Sequence, residues 1–184
     1  MPVKPMFKLR GWLMLPPVIL AFFCFRWDLE NDTVAWAIGG SVFLAAVGLR
    51  VWAQCHLHYR LHVHKMLTAE GPYRYTRNPI YIANTAMIAS LVLLMECAWL
   101  VLPAVVWCAV VYSAVVRYEE KRLGVNFGEA YRRYTKAVSR WFGVGRTPAQ
   151  RCVDVRQFAG AAWLAEAHCF LFLLLPAAKE LLGG

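Results

Sequence analysis

Long apolar runs alternate with polar stretches along this chain, and the alternation predicts its architecture. Five runs approach the roughly 20 residues that an α-helix needs to cross a bilayer, and they cover residues 11–27, 34–53, 80–95, 98–116 and 158–176. Two long polar segments, residues 54–79 and 117–157, separate the second run from the third and the fourth from the fifth. The pattern predicts an all-α integral membrane bundle of about five transmembrane helices, folded as one domain over residues 1–184.

Composition and charge agree with a membrane protein. Hydrophobic residues make up 60% of the 184 residues, more than a soluble core requires. The net charge of +9 comes from basic residues that flank apolar runs, where they set orientation and contact anionic lipid headgroups. We therefore expect no nucleic-acid partner. The six cysteines form no CxxC pair and are expected to be reduced packing residues.

Charge placement predicts the orientation of the chain. Lys4, Lys8 and Arg10 precede the first run, which has no small-residue cleavage site and is expected to be a retained span. Both long polar segments are basic, whereas the connection at Glu96 and Cys97 has no Lys or Arg. The positive-inside rule then predicts a cytoplasmic N-terminus, two cytoplasmic polar segments and an external C-terminus.

A helical stripe marks the second polar segment. Apolar and aromatic residues recur there at steps of three and four, namely Leu123, Phe127, Tyr131, Tyr134, Val138 and Trp141. The pattern predicts an amphipathic helix that lies on the headgroups on the cytoplasmic side. Gly124 and Gly128 interrupt this helix, and each favours a bend.

The end of the first polar segment reads HKMLTAEGPYRYTRNPIY from His64 to Tyr81. Asn78 and Pro79 predict the start of a helix, whose open N–H groups and positive dipole attract anions. Arg77 stands immediately upstream, so a ligand carboxylate or phosphate could bind there. The alternative is that this arginine only contacts lipid phosphates.

The second segment opens with an acidic pair, Glu119 and Glu120, that opposes the local basic trend. The pair either forms ordinary surface ion pairs or binds a ligand that is cationic or rich in hydroxyl groups. Arginines, a glutamate and tyrosines together complement S-adenosylmethionine, which carries a carboxylate, an ammonium, a ribose, an adenine and a sulfonium. The tyrosines are Tyr73, Tyr81, Tyr131 and Tyr134.

At these residues the chain resembles the isoprenylcysteine carboxyl methyltransferase and phospholipid methyltransferase family of integral membrane enzymes. The resemblance covers about residues 54–142 and rests on HKMLTAEGPYRYTRNPIY and EEKRLGVNFGEAYRRY. It implies a methyltransferase that uses S-adenosylmethionine, with its site facing the cytoplasm, and a lipophilic acceptor such as a prenylcysteine-like carboxylate or a lipid amine. Asn78 replaces the histidine usual in the family, and Arg117 lies three rather than four residues before Glu120.

The resemblance also implies roles for individual residues. Two residues would form the catalytic site. Glu120 would bind the methyl donor, and Arg117 would contact the acceptor. No metal site is implied. The remaining donor-binding residues that it implies are His64, Lys65, Met66, Leu67, Tyr73, Asn78, Pro79, Ile80 and Tyr81, and the position of Arg77 before the helix start adds that residue to the set.

Other interpretations stay open at this point. Membrane sterol reductases share a similar turn but use NADPH, and a scaffold without catalytic activity is a further alternative. Four histidines within nine residues could bind a transition metal, with His58 and His62 sharing a helical face. Glu166 and His168 lie inside the fifth run, where ionisable groups are costly and usually face protein or water.

The predicted topology can be tested by labelling an introduced cysteine. We expect Glu96→Cys to react with a membrane-impermeant maleimide added to the external side, because the connection there carries no basic residue. A cysteine introduced at Arg132 should react only from the cytoplasmic side. Labelling of position 96 from the cytoplasm would contradict the orientation.

Overall fold

The fold is a bundle of helices, seen in a computed structural model that describes residues 11–24, 32–62, 67–142 and 154–183. No strand occurs in these ranges, which confirms the predicted all-α bundle. The α-helices are α1 (Leu15–Phe23), α2 (Asp32–His62), α3 (Pro79–Leu94), α4 (Ala98–Ala137), α5 (Ala159–Glu166) and α6 (Leu174–Gly183). Short 3₁₀ helices cover Trp12–Met14, Gly71–Arg74, Arg156–Phe158 and Ala167–Leu173.

Three stretches of the described chain are long and apolar enough to cross a membrane. They are Thr33–Leu57, Ala98–Ala137 and Arg156–Leu182. Trp12–Phe23 and Pro79–Leu94 are shorter apolar helices. The helices coincide with the five apolar runs and make this a membrane protein, whereas five complete crossings stay a prediction.

Two clusters of buried side chains hold the bundle together. One joins α1, α3 and α4 through residues such as Ala21, Val92 and Val115. The other joins α2 and α3 to α5 and the 3₁₀ segment that follows it, and it includes Phe43 and Met87. Many large apolar side chains point outward instead; Leu164, for example, is 80% exposed. An apolar exterior of this kind suits lipid rather than water.

A tight connection joins α3 and α4, as the two-residue interruption predicts. Glu96 adopts a positive φ of 63°, and the Cys97 N–H donates to the Val92 carbonyl at 3.2 Å. From α6, the buried Lys179 ammonium donates to the Met95 carbonyl. The C-terminal helix is therefore fixed to the tip of this hairpin.

Helix α2 continues beyond the predicted end of its span. The sequence from Leu49 to His62 contains no Gly or Pro, so nothing in it terminates the helix at residue 53. Residues 54–62 of the first polar segment are therefore helical, and the end of the membrane span near residue 53 stays a prediction. The longer helix places Arg50 and Gln54 on one face, one turn apart.

The bend predicted near the two glycines lies at Gly128. That residue has φ 51° and ψ −120°, whereas Gly124 stays within the helix. Beyond the break, Tyr131 and Tyr134 are each 6% exposed and pack with Leu67. The aromatic stripe therefore packs on the first polar segment, and the position of this helix on the headgroups stays a prediction.

Alanine substitutions at the two glycines should have opposite effects. Gly128→Ala is expected to lower the free energy of unfolding by about 1–2 kcal/mol, because a Cβ disfavours positive φ. A Cβ there would meet no atom within 4 Å, so the cost would be conformational. Gly124→Ala, whose Cβ would lie 3.9 Å from Tyr131, should be neutral or stabilising by up to about 1 kcal/mol. Thermal unfolding in detergent compares them, and equal shifts would contradict the explanation.

Candidate functional site

The two polar segments are joined by hydrogen bonds close to the start of α3. The Arg77 N–H donates to the Ser139 carbonyl at 3.1 Å. The carbonyl of Arg140 accepts from Thr76 Oγ1 at 3.2 Å and from Asn78 Nδ2 at 3.0 Å. These bonds bring together the two segments that the sequence analysis expected to form one site.

A turn at Gly71 prepares the first segment for this contact. Gly71 has φ 58°, and a Cβ at this position would overlap the imidazole of His56 on α2. Position 71 therefore requires glycine for two reasons, namely its positive φ and the close approach of its backbone to His56. The 3₁₀ turn that follows buries Tyr73, whose carbonyl accepts from the Tyr134 hydroxyl at 2.8 Å.

A cavity of about 360 Å³ lies between these segments and α2. Its size is within the range of small-molecule sites. Seven of the predicted donor-binding residues line it, namely Leu67, Tyr73, Arg77, Asn78, Pro79, Ile80 and Tyr81. The other lining residues are Arg50, Gln54, Leu57, Thr68, Asn84, Glu119, Leu123 and Tyr134.

The two acidic residues have different positions. Glu119 lines the cavity and accepts from the Tyr81 hydroxyl at 2.9 Å. Glu120 is absent from the lining and pairs with Arg77 at 3.0 Å and with Arg140 at 2.6 Å. Hydrogen bonding to this carboxylate raises the pKa of Arg140 above its ordinary value. Glu120 thus holds Arg77 in place, and its predicted role in donor binding stays a prediction.

Four other predicted site residues are not placed in the cavity. Arg117 is exposed and does not line it, so its predicted contact with the acceptor stays a prediction. His64, Lys65 and Met66 lie outside the described residues.

Two polar atoms of lining residues lack partners within the described ranges. Thr68 Oγ1 and Arg77 Nε are buried and have no hydrogen-bond partner there. A buried polar group left unsatisfied costs about 1–3 kcal/mol. A polar ligand in the cavity could satisfy both atoms.

The start of α3 offers fewer open donors than the sequence predicts. Pro79 has no N–H, and the Tyr81 N–H donates to the Asn78 carbonyl at 3.2 Å. Side chains therefore supply most of the polar groups that line this end of the cavity.

Helix α2 and the middle of α3 contribute polar residues to the cavity that the sequence patterns did not predict. Arg50 Nε donates to Glu166 Oε2 at 2.6 Å, and Gln54 Nε2 donates to Glu166 Oε1 at 3.1 Å. Arg50 Nη1 also donates to Asn84 Oδ1. The available signal was an arginine and a glutamate in two separate apolar runs, since such charges pair inside membranes. Glu166 is 1% exposed and faces the interior of the bundle, as expected for a charged group in an apolar run, whereas His168 is exposed.

The metal interpretation gains little from the described residues. Ligand atoms of Glu166, His168 and Cys169 lie within 4.8 Å of one another. Glu166 Oε2, however, already accepts from Arg50 and from Cys169 Sγ, the latter at 3.3 Å. A cation there would face the guanidinium. The side chains of His58 and His62 lie outside the described residues.

Fold and cavity together define a helical membrane protein with a cavity lined partly by polar side chains between its helices. The phospholipid methyltransferase family matches residues 35–130, which is more than half of the chain. The chain belongs to this family, within the group of membrane methyltransferases that includes isoprenylcysteine carboxyl methyltransferase. The matched region runs from α2 to just beyond the break in α4 and contains all of the cavity lining except Tyr134.

The chain is also similar to a curated protein. The nickel-cobalt-cadmium resistance protein NccN of Alcaligenes xylosoxydans xylosoxydans is 31% identical over 129 residues. The alignment covers 67% of this chain and 59% of that protein, so the chain spans about three fifths of its relative's length. No solved structure gives a significant match.

Removing the charge of Glu120 should destabilise the junction between the two segments. Glu120→Gln is expected to lower the free energy of unfolding by about 1–3 kcal/mol, because a carboxylate that holds two partly buried arginines would be lost. Glu129→Gln is the matched control, since Glu129 is 62% exposed and its pairs are 3.9 and 4.0 Å long. Equal stability of the two variants in thermal unfolding would contradict a structural role for Glu120.

Proposed function

We propose that this protein is an S-adenosylmethionine-dependent methyltransferase that acts on a lipophilic, membrane-embedded acceptor. Membership of the phospholipid methyltransferase family supports methyl transfer as the activity. The main structural support for donor binding is the cavity, because seven of the expected donor-binding residues line it. The site would open to the cytoplasm for the donor and to the bilayer for the acceptor.

The lining residues fit the chemical groups of the donor. Arg77 offers a buried N–H without a partner in the described chain, which suits a carboxylate. Glu119 offers a carboxylate for an ammonium or a ribose hydroxyl. The aromatic rings of Tyr73, Tyr81 and Tyr134 suit an adenine ring or a sulfonium, because cations are attracted to aromatic faces.

The residues of the site would act by binding, alignment and exclusion of water. When bound, the donor supplies a methyl group on a positively charged sulfur, and the methyl passes to the acceptor while the carbon–sulfur electron pair stays on sulfur. In-line displacement depends on alignment and desolvation more than on a dedicated acid or base. A carboxylate acceptor would release no proton. An amine acceptor would release one, and Glu119 would accept it only if the carboxylate did not bind the ammonium of the donor.

The alternatives to methyl transfer predict different ligands. An NADPH-dependent reductase should bind NADPH, whereas we expect this protein to bind S-adenosylhomocysteine and not NADPH in isothermal titration. The name of the relative NccN suggests a link to metal resistance, but no metal ligand set is among the residues that line the cavity. We therefore propose methylation. Transfer of a radiolabelled methyl group into native lipid extract, with identification of the product, tests it directly.

Two arginine substitutions should separate donor binding from acceptor binding. Arg77→Lys is expected to raise the Kd for S-adenosylhomocysteine about tenfold or more, because lysine keeps the charge but loses the planar fork. Arg117→Lys should leave this Kd nearly unchanged and lower methyl transfer, since misplacing the acceptor by about 1 Å can cost on the order of a hundredfold in rate.

Isothermal titration and a methyl-transfer assay on both variants make the comparison. Arg132→Lys, an exposed site with a side chain 79% accessible, is the control for handling and charge. Loss of donor binding in Arg117→Lys together with normal binding in Arg77→Lys would reverse the proposed roles.

A further inference from the structure

The deep end of the cavity contains an arginine that the proposed donor site does not use. Arg50 and Asn84 line the cavity together with Asn78 at the start of α3. Asn84 follows Asn78 by six residues on the same helix, which places it about 9 Å further into the bundle. The polar lining therefore extends well beyond the residues expected to contact the donor.

Arg50 is held in one orientation by neighbours from two helices. Its Nε donates to Glu166 Oε2 at 2.6 Å, and its Nη1 donates to Asn84 Oδ1. Gln54 Nε2 fixes the other oxygen of Glu166 at 3.1 Å. The Arg50 side chain is 16% exposed and that of Glu166 is 2% exposed, so Glu166 lies behind the arginine. Glu166 is thus a positioning residue.

Hydrogen-bond donors remain at this end after these bonds are made. A guanidinium carries five N–H groups, and the bonds to Glu166 and Asn84 use two of those of Arg50. Asn84 accepts through Oδ1, and its amide nitrogen supplies further N–H donors nearby. A group rich in acceptor oxygens matches such a surface.

Charge complementarity selects the group further. The cavity lining carries two arginines, Arg50 and Arg77, and one glutamate, Glu119. The carboxylate and ammonium of the donor would match Arg77 and Glu119. Arg50 would then remain for the second substrate, with Glu166 offsetting its charge from behind. An anionic oxygen group would accept the charge-assisted, bidentate hydrogen bonds that a guanidinium forms best.

We propose that Arg50, oriented by Glu166 and flanked by Asn84, binds an anionic oxygen group of the methyl acceptor. The group is either the carboxylate that receives the methyl or a phosphate adjoining an amine that receives it. This inference rests on the proposed function, because it assigns the second substrate of the same site. It selects acceptors that carry an anionic group over neutral ones.

Direct binding of matched amphiphiles tests the proposal. Radiolabelled dodecanoate, dodecyl phosphate and dodecanamide share one chain length and differ in the head group. The full-length protein in dodecyl maltoside micelles, which carry no anionic group, should bind dodecanoate or dodecyl phosphate about tenfold or more tightly than dodecanamide, after subtraction of empty micelles. The preferred anion distinguishes a carboxylate acceptor from a phospholipid.

Arg50→Gln should abolish this preference. Arg132→Gln removes the same charge from an exposed position and should preserve it. The double variant Arg50→Gln with Glu166→Gln removes both members of the buried pair, so a folded protein without a charge preference is expected even where the single variant does not fold. Helical circular dichroism and gel filtration establish folding.

Two results would overturn the proposal. One is equal affinity of the unaltered protein for dodecanoate, dodecyl phosphate and dodecanamide; the other is an unchanged preference in the folded double variant, as expected if Arg50 only ties α5 to α2. Titration with S-adenosylhomocysteine on the same samples tests the proposed function separately. Absence of donor binding together with an Arg50-dependent anion preference would refute methyl transfer and leave the anion site.

Discussion

The carboxylate of Glu120 is the interaction on which the site depends. It pairs with Arg77 from the segment before α3 and with Arg140 from the segment after α4. Backbone carbonyls of Ser139 and Arg140 accept three further hydrogen bonds across the same junction. The junction thus fixes Arg77 at the cavity and holds the segment after α4 against the segment before α3.

A common arrangement organises the charges around the cavity. At each end an arginine lines the cavity while a carboxylate outside the lining holds it, Glu120 behind Arg77 and Glu166 behind Arg50. Pairing offsets the cost of bringing charges into a low-dielectric bundle. It also fixes each guanidinium, so that ligand binding does not have to order a flexible side chain. The site is therefore preorganised for polar groups within an apolar protein.

The sequence by itself determined the class of protein and much of the site. Five apolar runs and flanking basic residues indicated a membrane bundle, because lipid requires helices whose backbone groups bond internally. Asn78 and Pro79 marked the start of α3, and the interruption at Glu96 marked a hairpin, since both depend on local backbone constraints. Seven residues predicted from the first motif line one cavity.

Only the tertiary structure decided which charges face the cavity. Glu119 and Glu120 are neighbours in the sequence, but they have different roles in the structure. Glu119 lines the cavity beside Tyr81, whereas Glu120 faces Arg140 and holds the junction. The pairing of Arg50 with Glu166 joins residues 116 positions apart. The break at Gly128 likewise allows the aromatic stripe to pack on the first polar segment. Local patterns carry no information on such long-range contacts, because packing between distant helices establishes them.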